Sequence, residues 1–198
     1  MADRFNEVIQ TNIGENGNQE REQYAYAVAL FHYTVGSGYR HITHQLKYHG
    51  NIRLGRYFGR MLGYCLAGTE WFRDVDLVIP VPLHWSRRLK RGYNQAEVIG
   101  RTIAMSLNTE TRTDLIRRKR RTATQTRLDI EQKRKNVAGA FEVTETAAGL
   151  STEYRHILLV DDVFTTGATV QACFSALRSV FPPSVRISIA TLGFVGEA

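Results

Sequence analysis

The stretch Ile157-Leu158-Leu159-Val160-Asp161-Asp162-Val163-Phe164-Thr165-Thr166-Gly167-Ala168-Thr169-Val170 decides the fold class. Four aliphatic residues in a row suit a strand covered on both faces, as in the middle of a parallel sheet. Two carboxylates stand where that strand would end. A short loop of hydroxyls and one glycine follows, and then Val170, Phe174 and Leu177 recur with helical period. A strand, a small-residue loop and a helix start make a cradle for phosphate. The first helical N–H groups have no partner within the helix, and the helix dipole favours an anion there. Thr165, Thr166 and Thr169 add hydroxyl donors, and Gly167 lets the backbone approach a ligand closely. Asp161 and Asp162 can accept hydrogen bonds from vicinal hydroxyls, as on a ribose. Anion cradle and paired diol acceptors read together as a sugar-phosphate site.

Each feature taken singly fits a buried strand with an acidic turn and a threonine helix cap. Their conjunction, in this order, favours the ligand site. An aliphatic strand ending in acids also occurs in nucleoside triphosphatases, but those need G-x-x-x-x-G-K-[ST] elsewhere, and this chain has no Gly-Lys pair. The dinucleotide fingerprint fails as well: Gly36-Ser37-Gly38 is followed by Tyr39, Arg40 and His41, with no third glycine.

The stretch resembles the phosphoribosyl-pyrophosphate (PRPP) loop of the type I phosphoribosyltransferases, in which an aliphatic run, two acids and variable residues lead into Thr-Gly-x-Thr. Here it stands as ILLVDDVFTTGAT. The resemblance implies that Asp161 and Asp162 hold the ribose hydroxyls. It implies that Val163, Phe164, Thr165, Thr166, Gly167, Ala168 and Thr169 form the 5′-phosphate loop.

Bulk properties set the frame. The chain has 198 residues, 43% of them apolar, enough for one domain with a proper core. Residues 1–22 are rich in Asn, Glu, Gln and Gly and lack apolar periodicity. They are expected to be a polar tail, mobile or loosely docked, before a domain spanning 23–198. No long uncharged apolar run suggests a membrane span, and the polar, acidic N-terminus does not look like a signal peptide. Cys65 and Cys173 lie far apart and are expected to be two buried thiols in a reducing, cytoplasmic compartment. The net charge of +7 biases the chain toward anions, with phosphate substrates and nucleic acid equally served. Much of the excess crowds between Arg112 and Lys135.

From Tyr24 to Tyr33 the pattern suits a strand or a short helix. Arg40 to Tyr48 predicts an amphipathic helix ended by Gly50. Ile52 to Leu66 predicts a second, with Leu54, Tyr57, Phe58, Met61 and Leu62 apolar and Gly68 at its close. His41, His44 and His49 have no carboxylate or Cys at ligand spacing and are expected to be exposed helix residues rather than a metal cluster. Leu77-Val78-Ile79 predicts a short buried strand running into Pro80-Val81-Pro82-Leu83-His84. Arg87, Arg88, Lys90 and Arg91 follow as a basic loop, a second candidate anion site, before a helix through Val98, Ile103 and Leu107.

VPVPLH followed by RGYNQA is similar to the ComF subgroup of the type I phosphoribosyltransferases, named for a role in natural DNA uptake. So are HQLKYHG upstream and Arg117, Arg121-Thr122, Gln125-Thr126, Arg134, Asn136-Val137 and Ala140-Phe141 downstream. The resemblance runs from about Phe31 to Leu192. It implies a pyrophosphate site at Pro82, Leu83, His84, Arg87, Arg88 and Arg91. It also implies a mobile flap that includes Arg120, Arg121, Thr122, Gln125, Arg134 and Asn136. Many ComF proteins begin with a zinc module of two CxxC-type pairs. No Cys precedes position 65 here, so no zinc is expected.

The basic segment also reads on its own terms. Asp114 to Arg117 and Ala140 to Val143 suit strands, and Leu128 to Val137 suits a short helix. Single-strand binders interleave aromatics for base stacking. None occurs between Arg112 and Val137, which favours a flap that closes on anions. Residues 144–156 read as a polar loop, and Arg186 to Thr191 as a last strand.

The alternation of strands and helices predicts an α/β domain. Its mainly parallel sheet would carry sites at the strand C-terminal ends, and segments around 24–66, 112–143 or both would form a small hood. The resemblance implies an enzyme that binds PRPP with Mg²⁺, the ion held mostly by substrate oxygens, and passes phosphoribosyl to a nitrogen acceptor with release of pyrophosphate. Glutamine-dependent amide transfer is not expected, since residue 2 is Ala and no separate glutaminase domain fits. The other reading is a competence accessory protein that binds PRPP, single-stranded DNA or a helicase-like partner without robust catalysis. The acceptor and the oligomeric state stay open.

Overall fold

The computed structural model describes residues 24–33, 40–48, 50–120, 137, 139–150 and 153–195. The expected polar tail, the Gly36-Ser37-Gly38 turn, His49 and most of the helix expected before Val137 lie outside these. So do Arg121, Thr122, Gln125, Arg134 and Asn136 of the expected flap. Strands β1 (Ala27–Tyr33), β2 (Leu77–Pro80), β3 (Glu110–Thr111), β6 (His156–Phe164) and β7 (Arg186–Val195) form one sheet in the order β1-β7-β6-β2-β3. Every pairing in it is parallel. Two short strands, β4 (Ile116–Arg118) and β5 (Phe141–Val143), pair antiparallel in a separate ribbon.

β6 lies inside the sheet, between β7 and β2. Its four aliphatics are fully buried because both faces are covered. Side chains alternate across a strand. Ile157 and Leu159 therefore pack on one side with Cys173, Phe174 and Leu177 of α6 (Ala168–Arg178), while Leu158 and Val160 pack on the other with Leu62, Leu66, Ile99 and Ile103. The second side belongs to α2 (Ile52–Ala67) and α4 (Gln95–Leu107). Each Leu or Ile so buried contributes about 1.5–3 kcal/mol. The result is a helix–sheet–helix sandwich.

Local signals start the helices. Asn51 Oδ1 accepts from Leu54 N at 3.1 Å to cap α2, and Asn94 Oδ1 accepts from Ala96 N at 3.2 Å to cap α4. α1 (Arg40–Tyr48) and α2 follow the sequence pattern, but α2 is turned differently from expectation. Its buried residues are Gly55, Gly59, Leu62, Gly63 and Leu66, whereas Tyr57 and Met61 are exposed. The glycines explain this. A Cβ on Gly59 would come within 3.1 Å of Ile99 O, and one on Gly63 within 2.6 Å of Ser106 Oγ. Close helix–helix contact therefore selects the glycine face.

Four further expectations change. The segment from Tyr24 contributes an edge strand of the main sheet, so the covering elements are α1 and the β4–β5 ribbon. The four bases after β2 sit on a helix, α3 (Trp85–Arg91), not in a loop. Residues Glu145–Gly149 form α5 where a loop was expected. Cys173 is buried as expected but Cys65 is exposed, because it lies off the glycine face of α2. Among the described residues no helix is long and apolar enough to cross a membrane.

Candidate sugar-phosphate site

The chain leaves β2 through α4 toward β3 on one side and returns to β6 on the other, whose exit leads through α6 to β7. The C-terminal ends of β2 and β6 therefore flank a topological switch point, where open α/β sheets leave a crevice. Pro80 is in register with Val160, and Val81 N donates to Val160 O at 2.8 Å. This pairing sets Pro82, Leu83 and His84 beside Asp161 and Asp162.

The acids do not follow the strand as the sequence suggested; β6 runs through them to Phe164. Continued pairing of β6 with β7, Asp161 to Thr191 and Phe164 to Phe194, holds them in extended backbone. Asp162 is buried, and its Oδ2 meets Lys47 Nζ at 2.8 Å. Asp161 Oδ1 accepts from Asp162 N at 2.8 Å. Desolvation, with the charge of Asp162 next to it, pushes the Asp161 carboxyl up to about 7. Burial works against the Lys47 ammonium, but the charge and hydrogen bond of Asp162 outweigh it and its pKa stands above the usual value.

The turn Thr165–Gly167 follows. Gly167 has φ +72°, a left-handed conformation, and a Cβ there would lie 2.6 Å from Phe164 Cζ. Both facts demand glycine. Gln171 N donates to Gly167 O at 2.8 Å, the first full turn of α6. The amides ahead of it lack partners within the helix. Thr165 and Thr166 lie in the turn itself, and Thr169 in the first turn of α6.

Lys47 is absent from the residues singled out in the sequence. It reaches the acids because RGYNQA ties α1 down. Tyr93 Oη and Gln95 Nε2 both donate to Leu46 O, the latter at 3.2 Å, and Asn94 Nδ2 donates to Val81 O at 3.0 Å. Tyr93, Asn94 and Gln95 thus join the last turn of α1 to the loop after β2. The available signal was a lone Lys in the last turn of a helix within HQLKYHG.

α3 divides its bases. Arg87 and Arg91 are one turn apart and share a face. Arg91 Nη1 donates to Gln95 Oε1 at 3.0 Å, and its guanidinium lies 5.8 Å from the Tyr48 ring centre. Arg88 is directed to Glu97 Oε2 at 3.4 Å. His84 is buried and begins α3, its Nδ1 accepting from Ser86 N at 3.3 Å. From the ribbon, Arg118 lies 5.0 Å from the Phe141 ring centre. Burial, and then the nearby Arg87, lower its pKa, and it also senses Asp161. Arg120 is exposed at the end of the described part of that segment. Lys47 pairs with Asp162, Arg118 senses Asp161, and Arg91 and Arg87 lie near Lys47 and Arg118 in turn, so cations from three elements gather by the acid pair. Among the described residues no group of three or more His, Cys, Asp or Glu gathers to hold a metal ion.

A serine–histidine–aspartate line lies at the opposite end of the sheet. His156 Nδ1 is 2.8 Å from Asp74 Oδ1 and His156 Nε2 is 2.8 Å from Ser188 Oγ. Both His156 and Ser188 are fully buried, so no substrate reaches the hydroxyl. The line is a structural polar network, buried at His156 and Ser188 and open at Asp74, that ties β6, β7 and the turn before β2.

Comparison with known proteins adds relatives. The chain is 27% identical over 149 residues to Competence protein F of Haemophilus influenzae, covering 74% of this chain and 64% of the relative. It is 32% identical over 132 residues to DNA utilization protein YhgH of Escherichia coli O157:H7, covering 65% of this chain and 56% of the relative. Over 133 residues it is 38% identical to the protein of the same name from Salmonella typhi, with the same coverage of 65% and 56%. The chain thus spans 56% to 64% of the length of these curated relatives. No family model matches. The crystal structure of TT1426 from Thermus thermophilus aligns at 16% identity with a TM-score of 0.37, covering 71% of this chain and 83% of that one.

Proposed function

We propose that this chain is a ComF-type phosphoribosyltransferase-like protein. In this reading it binds Mg–PRPP in the crevice between β2 and β6 and transfers the phosphoribosyl group to a nitrogen acceptor. One observation carries the reading. An acid pair, a glycine-dependent phosphate turn and cations from three other elements converge where an α/β sheet binds ligands. The ribose hydroxyls donate to Asp161 and Asp162, and the 5′-phosphate sits in the turn of Val163 to Thr169. The loop Pro82–His84, with Arg87, Arg91 and Arg120, faces the pyrophosphate. Arg88 is in place to follow once it leaves Glu97.

The bond between the ribose anomeric carbon and the pyrophosphate oxygen breaks, and the acceptor nitrogen forms a new bond to that carbon. Positive charge grows on the sugar ring and negative charge on the leaving group. Fixed cations around the leaving oxygens therefore supply most of the stabilisation. An acceptor proton is taken up by Asp161, whose raised pKa suits exchange near neutral pH. The donor set fits Mg²⁺ as a guest of the substrate, with the hard carboxylate oxygens of Asp161 and Asp162 beside the sugar-phosphate. Mg²⁺, when bound with PRPP, neutralises phosphate charge. No zinc enters this reading.

The names of the relatives favour a second reading, an accessory protein of DNA uptake or use that binds PRPP or single-stranded DNA without robust turnover. Both readings place the protein in the cytoplasm. Pyrophosphate release from Mg–PRPP across a panel of nucleobases, ammonia and ribose acceptors separates them. One responsive acceptor supports transfer, and tight PRPP binding with a flat panel selects the accessory role. No PRPP binding, or binding indifferent to the Asp161→Ala/Asp162→Ala double variant, sinks the site.

A further inference from the structure

The outer face of α2 carries exposed tyrosines and arginines together. The glycines that press α2 onto α4 leave Tyr57 and Tyr64 on the opposite face, 62% and 66% exposed. Arg53, Arg56 and Arg60 alternate with them, all exposed, and no carboxylate pairs with any of the three among the described residues. Arginines three and four apart on one helix repel one another, and α2 contains no acid to offset them. Beside Arg56, Arg60 and Tyr64 runs a groove of about 780 Å³ completed by Arg101 and Met105 of α4. Met105 is 82% exposed. Helical rise sets Arg53 and Tyr64 about 16 Å apart along the axis.

We propose that the α2 face, with the α4 edge of its groove, binds single-stranded nucleic acid. The occupant follows from charge and ring chemistry. Guanidinium groups at one-turn spacing match the phosphates of a polyanion, and flat tyrosine rings between them offer stacking platforms for unpaired bases. A duplex would leave those rings unused. The basic segment after Arg112, although richer in charge, has no aromatic to stack a base. The surface lies on the outside of the α2–α4 layer, apart from Asp161 and Asp162. It shares its ligand with the second reading above but does not rest on PRPP binding.

The test is fluorescence anisotropy of a labelled oligothymidylate of about 20 nucleotides, longer than the ~4–16 that single-strand folds cover. The full chain should bind it with affinity that falls steeply between roughly 50 and 200 mM salt. Arg56→Glu/Arg60→Glu should weaken binding on the order of tenfold or more and flatten the salt slope. Tyr57→Ala/Tyr64→Ala should weaken it with the slope kept. Arg56→Gln/Arg60→Gln repeats the test with less disturbance of the helix, and unchanged thermal melting shows that each variant is folded. Mg–PRPP binding should be the same in all of them, and Asp161→Ala/Asp162→Ala should leave oligonucleotide binding intact. Wild-type affinity in the folded arginine variants, or no binding by the wild type, overturns the proposal. Equal displacement by polyglutamate also overturns it, because the face then serves an acidic polypeptide. Loss of PRPP binding alone would sink only the sugar-phosphate reading.

Discussion

Lys47 Nζ sits 2.8 Å from Asp162 Oδ2, joining the end of α1 to the middle of the acid pair. The pair forms because Leu46 O is clamped by Tyr93 and Gln95, so the covering helix and the acids are coupled through RGYNQA. The ammonium offsets one of two adjacent carboxylates and stands at the edge of the proposed anion site.

Replacing Lys47 with Met should destabilise the fold by about 1–2 kcal/mol near pH 8, the cost of leaving a partly buried carboxylate without its partner. Urea denaturation measures it. The same variant should bind Mg–PRPP at least about tenfold more weakly, a difference of about 1.4 kcal/mol. Gln95→Ala, which only loosens α1, should show a smaller loss of the same kind.

Asp161 sets a pH dependence of its own. Between about pH 4, where an unfolded aspartate titrates, and its folded value of about 7, the folded chain holds a proton that the unfolded chain has lost. Stability from this group therefore falls as pH rises through that window. Asp161→Asn should remove the fall and raise stability at pH 8 by on the order of 2 kcal/mol. Its ligand affinity should drop, since the amide no longer accepts a diol with both atoms. Melting curves from pH 5 to 8 check the first expectation and calorimetry the second.

Gly167→Ala should be costly in two ways. The left-handed backbone disfavours any Cβ by about 1–2 kcal/mol, and the new atom meets the Phe164 ring. A folded Gly167→Ala protein should fail to bind ribose 5-phosphate even where its melting temperature is recovered by a stabilising solute.

His156 acts in the opposite sense to Asp161. Burial holds its pKa below the usual value, with Asp76 opposing, so the unfolded chain takes up this proton first as pH falls. The contribution is complete above about pH 6.5 and is lost below it. His156→Gln should lower stability at pH 7.5 yet flatten the loss on the acid side. Ser188→Ala should cost about 1 kcal/mol, and Ser188 should resist serine-directed acylating reagents, because it is fully buried.

The sequence by itself determined the aliphatic core of β6, the glycine turn after it and the helix that follows, though not that the strand continues through the acids to Phe164. A doubly covered strand must be aliphatic on both faces, and a left-handed turn under a phenyl ring must be glycine. It also determined β2, α1 and α2 as elements, since their periods are local. It did not determine which face of α2 is buried, because a glycine face competes with an aromatic one only once α4 lies against it. Nor did it reveal that Arg87 and Arg91 separate from Arg88, which follows from α3 being a helix. Lys47 belongs to the same class: nothing near it in the chain marks it. Only the tertiary structure brings it to Asp162, because the hydrogen bonds that deliver it come from Tyr93 and Gln95, and charges act through space rather than along the chain.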